Sequence, residues 1–221
     1  MDCFDVMKNS AAFKSMCRDA DENRVSHAYL VVSPDEGMSD ALTSLFIARL
    51  AFGGTDRAAI ERARNFGADI IRLPEGDKVL SGDVKTLTDS VYFTPTELSR
   101  KFYIIRKGET MNEASQNKLL KVLEEPPGSV VILILAASVG GILSTVLSRV
   151  RRVDVEPLPE DEIIDYLESN YGADGTVYLA AALSGGYLAK AERVMTEKAP
   201  RETFEFVLSV LKGMKNSKLV L

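Results

Sequence analysis

The run Val130-Val131-Ile132-Leu133-Ile134-Leu135 constrains this chain more than any other stretch. Six consecutive apolar residues with no polar alternation leave neither side fit to face water. That pattern reads as a strand covered on both faces, the environment of a parallel sheet. A helix precedes it. Thr110 and Glu113 stand at capping-box spacing for its start, and Pro126-Pro127, which cannot donate to a helical ladder, mark its end. A second short helix follows the strand in Ile142-Leu143-Ser144-Thr145-Val146-Leu147-Ser148 and leads into an exposed arginine cluster, Arg149, Arg151 and Arg152.

The same reading extends along the chain. Residues 5–20 have the spacing of one amphipathic helix, with Val6, Phe13 and Met16 on its buried face and Phe4 just ahead of it. His27 to Val32 reads as the first core strand, Ser33 to Asp40 as a loop and Ala41 to Phe52 as an apolar helix broken by Gly53-Gly54. Thr55 to Asn65 is a charged helix, Asp69 to Leu73 a strand, Val84 to Tyr92 a helix and Phe102 to Ile105 another strand. With Val153 to Val155 this makes five strands alternating with helices. The expected class is therefore α/β, a parallel five-stranded sheet flanked by helices. Pro157 and Pro159 mark a linker into three further helices at 160–170, 176–183 and 188–197, a small helical domain, with Gly185-Gly186 between the last two. Pro200 marks one more boundary, before a helix from Glu202 to Lys212. The expected domains are 1–156, 157–199 and 200–221.

Composition excludes several functions. The 46% hydrophobic and 27% charged content is that of an ordinary globular protein. No uninterrupted apolar run approaches the ~18 residues of a membrane span, and the first ten residues lack a signal pattern, so a cytoplasmic protein with no membrane partner is expected. The single histidine, His27, and two cysteines, Cys3 and Cys17, leave no ligand set for zinc and no histidine-based triad. A net charge of −5 argues against an autonomous nucleic-acid binder and permits a local DNA-facing patch.

The block Ser115-Gln116-Asn117-Lys118-Leu119-Leu120-Lys121-Val122-Leu123-Glu124-Glu125-Pro126-Pro127 and, in order and spacing, Leu143-Ser144-Thr145-Val146-Leu147-Ser148-Arg149-Val150 closely resemble the delta-prime branch of the bacterial DNA polymerase III clamp-loader AAA+ proteins. The resemblance extends more weakly over about 25–194. It implies an AAA+ P-loop-type sheet, a three-helix lid and a helical collar domain, of which 200–221 would be the truncated start. It also implies partners: gamma/tau motor subunits and a delta subunit, with the sliding clamp and primer-template DNA reached through the complex.

Active relatives of this kind carry a phosphate loop, G-x-x-x-x-G-K-[ST], after the first strand. Its backbone N–H groups and lysine hold the phosphates, and its hydroxyl helps hold Mg²⁺. The corresponding residues are Ser33 to Asp40: Ser33 and Met38 replace the glycines, Ser39 the lysine and Asp40 the hydroxyl. Asp35, Glu36 and Asp40 would repel a triphosphate. The acidic pair that follows the next core strand in active relatives, binding metal and positioning water, is Arg106-Lys107 here. These two are either solvated or paired with the acidic first loop, whose strand the resemblance places beside theirs. Ala136-Ala137 and, on a weaker alignment, Leu188 replace the phosphate-sensing residues.

The resemblance therefore implies no bound nucleotide, cofactor or metal and no catalytic site of the chain's own. Arg149, in the family's S-R-C position, is implied to reach the ATP site of a neighbouring subunit. A guanidinium suits that task, being always charged and able to bind phosphate oxygens bidentately. Arg151 and Arg152 read as a solvated rim. Lys118 and Lys121, one turn apart, could track DNA phosphates or simply be solvated. Two other readings stay open: an ATPase with a misaligned site, although the chain has no G-K-[ST], and a scaffold outside the replisome.

Overall fold

The computed structural model describes residues 1–197, and the expected helix at 202–212 lies outside them. The described residues divide into two compact units, 3–156 and 157–197, the latter joined by Met1 and Asp2.

The first unit is built on a five-stranded, all-parallel sheet in the order β2-β3-β4-β1-β5. Its strands are β1 (Ala28–Val32), β2 (Ile70–Leu73), β3 (Lys101–Ile105), β4 (Val130–Ala136) and β5 (Arg151–Asp154). The apolar run forms the central strand β4, buried along its whole length. It pairs with β1 in the register Ala28↔Ile132 to Val32↔Ala136, and with β3 from Lys101↔Val130 to Ile105↔Ile134. β4 thus separates β1 from β3, so the strand ending at Ile105 does not lie beside the first strand as expected.

Helices cover both faces. On one, α5 (Ser81–Ser90), α6 (Glu113–Glu124) and α7 (Ser144–Leu147) bring Val84, Leu87, Leu119, Val122, Leu123 and Val146 onto Ala28, Leu30, Tyr103, Ile132 and Ile134. On the other lies α3 (Glu36–Phe52), with α1 (Cys3–Asn9), α2 (Ala11–Asp21) and α4 (Arg57–Asn65) packed against it. Phe46 of α3 meets Tyr29 of β1 edge-on, ring centroids 5.2 Å apart. Full burial of each large side chain here contributes about 1.5–3 kcal/mol, which is why an uninterrupted apolar strand is stable between two helical layers.

The helix expected at Val84 to Tyr92 spans Ser81–Ser90 and the strand expected at Val153 to Val155 spans Arg151–Asp154, and three helix starts differ from expectation for a capping reason. The helix expected over 5–20 is two, because Ser10 takes an extended backbone and its hydroxyl accepts from Phe13 N at 3.1 Å, starting α2 afresh. Val6, Phe13 and Met16 are nevertheless buried. The helix expected from Ala41 starts at Glu36, since the Asp35 carboxylate caps it. The Thr110–Glu113 capping box does not form. Asn112 caps α6, accepting from Ser115 N at 2.8 Å, while Thr110 Oγ1 donates to Lys107 O and accepts from Val79 N.

The second unit contains α8 (Glu160–Tyr171), α9 (Gly175–Ser184) and α10 (Leu188–Thr196). Gly186, at φ +86°, lets the chain pass Pro157 and Leu158, where a Cβ would meet Leu158 O at 2.7 Å. No described helix is long and apolar enough to cross a membrane.

Candidate functional site

Ligands of open parallel sheets bind beyond the carboxyl ends of the strands. At those ends of β1, β3 and β4 the chain forms a cavity of about 20 Å³, room for about one water molecule. Ser33, Glu36, Ser39, Asp40, Arg106, Lys107 and Glu109 line it, with Leu135, Ala136 and Ala137.

The segment after β1 is not the surface loop expected. Ser33, Asp35, Met38 and Ser39 are all buried. Ser33 N donates to Ala136 O, and Ser33 Oγ accepts from Asp35 N at 3.0 Å. Asp35 Oδ1 accepts from Met38 N at 3.1 Å, and Ser39 Oγ donates to Asp35 O. A helix N-terminus is a ready-made anion site because its first N–H groups are orphaned and its dipole favours negative charge. Here the protein's own carboxylate takes that place on α3. Burial pushes the Asp40 carboxyl above its ordinary range, against the opposing pull of Arg106 and Arg72.

The cations after β3 are engaged by the protein itself. Lys107 Nζ lies 3.7 Å from Glu36 and 2.9 Å from Asp77. Its hydrogen bond to Asp77 holds the ammonium above its ordinary range, and the same bond holds the Asp77 carboxyl below its own. Arg106 Nη2 donates to Pro74 O at 2.9 Å. The structure thus pairs Lys107 with an acid of the first turn of α3, while Arg106 turns to a backbone carbonyl. Beyond β4, Ala137 N donates to Glu109 Oε2 at 3.1 Å, so a backbone N–H and a carboxylate meet at the end of the strand. Leu188 is the first residue of α10 and is buried.

Arg149 follows α7. Its Nη1 donates to Thr145 O at 2.9 Å and Ser148 Oγ at 3.1 Å, and its Nη2 pairs with Glu124, the last residue of α6, at 2.8 Å. The other two arginines lie in β5, where Arg152 is exposed, as a rim residue would be, and Arg151 is not. Arg151 turns inward, donating to Ser15 Oγ at 2.9 Å and pairing with Asp19, which also accepts from the Tyr29 hydroxyl. Arg152 pairs with Asp154. Lys118 and Lys121 are exposed on the same side of α6.

Gln116 belongs to the same motif block, yet its sequence context assigns it no role. In the fold its amide is buried. Nε2 donates to Met111 O at 3.0 Å and Gly141 O at 2.8 Å, and Oε1 accepts from Leu143 N at 2.7 Å. One side chain therefore ties the start of α6 to the turn that leads into α7. Gly141 permits the approach, since a Cβ there would collide with the Glu109 carbonyl. The available signal is a glutamine one turn before Leu119, on the apolar side of an amphipathic helix. Such a side chain must satisfy its donors and acceptor away from water.

A parallel sheet in this order, helices on both faces, a site at the carboxyl ends of β1, β3 and β4, and a following three-helix unit define an AAA+-type module. Solved structures agree on the fold: a gamma-subunit-related protein of DNA polymerase III from Thermotoga maritima (TM-score 0.62, 22% identity, 83% of this chain and 57% of that one) and the Thermotoga maritima RuvB Holliday junction branch migration motor (TM-score 0.54, 15% identity, 82% and 58%). The chain belongs to the DNA polymerase III delta subunit family, whose model matches residues 8–159, and so to the clamp-loader AAA+ subunits. Among its relatives, the DNA polymerase III subunit delta' of Bacillus subtilis is 26% identical over 164 residues, 70% of this chain and 49% of that protein. The subunit gamma of Buchnera aphidicola from Schizaphis graminum is 28% identical over 100 residues, 45% of this chain and 28% of that protein. The chain spans about half the length of these relatives, or less.

Proposed function

We propose that this chain is a delta-prime-type subunit of the DNA polymerase III clamp loader that neither binds nor hydrolyses ATP. It helps load the sliding clamp onto primed DNA in the cytoplasm, beside gamma/tau motor subunits and a delta subunit, and offers Arg149 to the ATP site of a neighbouring motor subunit. The observation that supports the reading is that the α3 N-terminus and the cation after β3 are engaged by the protein's own groups. Asp35 caps the helix that would cradle phosphate, and Lys107 pairs with Glu36 and Asp77 where metal-binding carboxylates would stand. A chain without phosphate chemistry of its own can still supply charge to another's, and Arg149 stands at the family position for that role.

Lys118 and Lys121 fit a minor, sequence-independent contact with DNA phosphates, the kind that positions without reading bases. The proposed role is tested by mixing the chain with gamma/tau and delta subunits. We expect it to co-purify with them and to raise ATP-dependent clamp loading on primed DNA. Failure to join the motor subunits would favour a scaffold outside the replisome.

A further inference from the structure

We infer that Glu124 is a positioning residue for Arg149, an assignment that rests on the role proposed for that arginine. Glu124 ends α6 and Glu125 caps it. Two carboxylates at a helix C-terminus sit against the negative end of the macrodipole and work against the helix. Helix stability therefore gives no reason for Glu124, whereas its contact does: one carboxylate oxygen lies 2.8 Å from Arg149 Nη2. Pro126-Pro127 stop α6 just beyond it, so the carboxylate stands at a fixed place.

The guanidinium is held from two elements. Thr145 O and Ser148 Oγ, within and just after α7, take Nη1, and Glu124 of α6 takes Nη2. A long side chain otherwise free to sample many rotamers is thereby confined to one direction before any partner arrives. The entropy of ordering it is lowered in advance, which is how preorganisation assists binding and catalysis. Both members remain partly exposed, at 35% for Arg149 and 50% for Glu124, so a phosphate of the adjacent subunit can reach the same group. An exposed pair is weak enough to yield to that phosphate while still biasing the arginine's direction.

The test uses Glu124→Ala and Glu124→Gln in the full 221-residue chain. In the free chain, the rate at which phenylglyoxal modifies Arg149 is read by mass spectrometry of the peptide. It should rise about two- to fivefold in both variants, the range an exposed ion pair supports. An unchanged rate would show that Glu124 does not hold the guanidinium and would overturn the assignment. In a reconstituted loader, Glu124→Ala should slow the one ATP site that faces this chain by about two- to fivefold, so that bulk DNA-stimulated kcat falls by less than that and by no more than in Arg149→Ala, with KM for ATP unchanged, and it should add nothing in an Arg149→Ala background. A further loss in that background would mean that Glu124 acts independently of Arg149, against the assignment. Normal kcat in Glu124→Ala beside a clear Arg149→Ala defect would overturn the positioning role alone. Normal kcat in Arg149→Ala would overturn the arginine's role and the positioning role with it.

Discussion

Arg149→Ala in a reconstituted loader is expected to slow DNA-stimulated ATP turnover and clamp loading without disturbing the fold. At a single site, an arginine supplied in trans contributes factors of ~10³–10⁵ in some NTPases. Bulk turnover should fall less, because only the site facing this chain loses its arginine. The variant's own stability should change little: its ion pair with Glu124 is partly exposed, and such pairs contribute about 0–1 kcal/mol. The measurement is steady-state turnover and loading by complexes first shown to assemble normally. Unchanged turnover and loading in a fully assembled complex would remove the role. Loss of assembly would instead make Arg149 an interface anchor.

The second large effect is one of stability. Asp69 is fully buried just before β2, and its carboxylate accepts from Thr96 N (2.8 Å), Glu97 N (2.7 Å) and Leu98 N (2.9 Å). Burial alone would raise its pKa. The three backbone donors, with Lys101 nearby, outweigh it and hold the carboxyl below its ordinary range. Asp69→Ala removes the acceptor and leaves three N–H groups without it, so a loss of about 3–5 kcal/mol is expected. Thermal unfolding should shift down by roughly 10 °C. Because the folded pKa lies below the unfolded value, the contribution is complete above the unfolded pKa of about 3.9 and is lost as pH falls through the folded one. Asp69→Asn should therefore unfold with a shallower dependence on acid pH than the parent chain. A melting temperature within about 2 °C of the parent for Asp69→Ala would refute this account.

The strands are legible in the sequence because their cause is local. Val130 to Leu135 is short, rich in β-branched residues and wholly apolar, the pattern of a doubly covered strand, and the Pro126-Pro127 stop and the Gly53 break are written in single residues. Helix starts are less legible, since they depend on which of several polar residues turns its side chain back on the backbone. Ser10, Asp35 and Asn112 each do so, where the sequence offers Thr110 and Glu113 as an equally plausible box. Strand order is out of reach of pattern alone: nothing in Phe102 to Ile105 says that β4 intervenes between it and β1.

The site is legible as a set of substitutions and illegible as a set of contacts. Asp35, Glu36 and Asp40 stand out as charges hostile to a triphosphate. That Asp35 is buried and spent on capping α3, while Asp40 is pushed toward its neutral form, depends on packing. Lys107 is a natural partner for the acidic first loop, but its shorter contact, with Asp77, comes from a different loop. Arg151 looks like its neighbours in a basic run. The strand period of two separates it from Arg152, sending one toward Asp19 and Ser15 and the other to Asp154. Gln116 and Glu124 are visible only as members of a motif, because their contacts lie with the turn before α7 and with Arg149 beyond it.

The central claim, that phosphate binding has been replaced by the protein's own charges, is tested most directly by titrating the isolated chain with Mg-ATP in a calorimeter. We predict no saturable heat, because the α3 N-terminus is already capped by Asp35 and Lys107 is already shared between Glu36 and Asp77. Saturable binding with a micromolar Kd would contradict the claim.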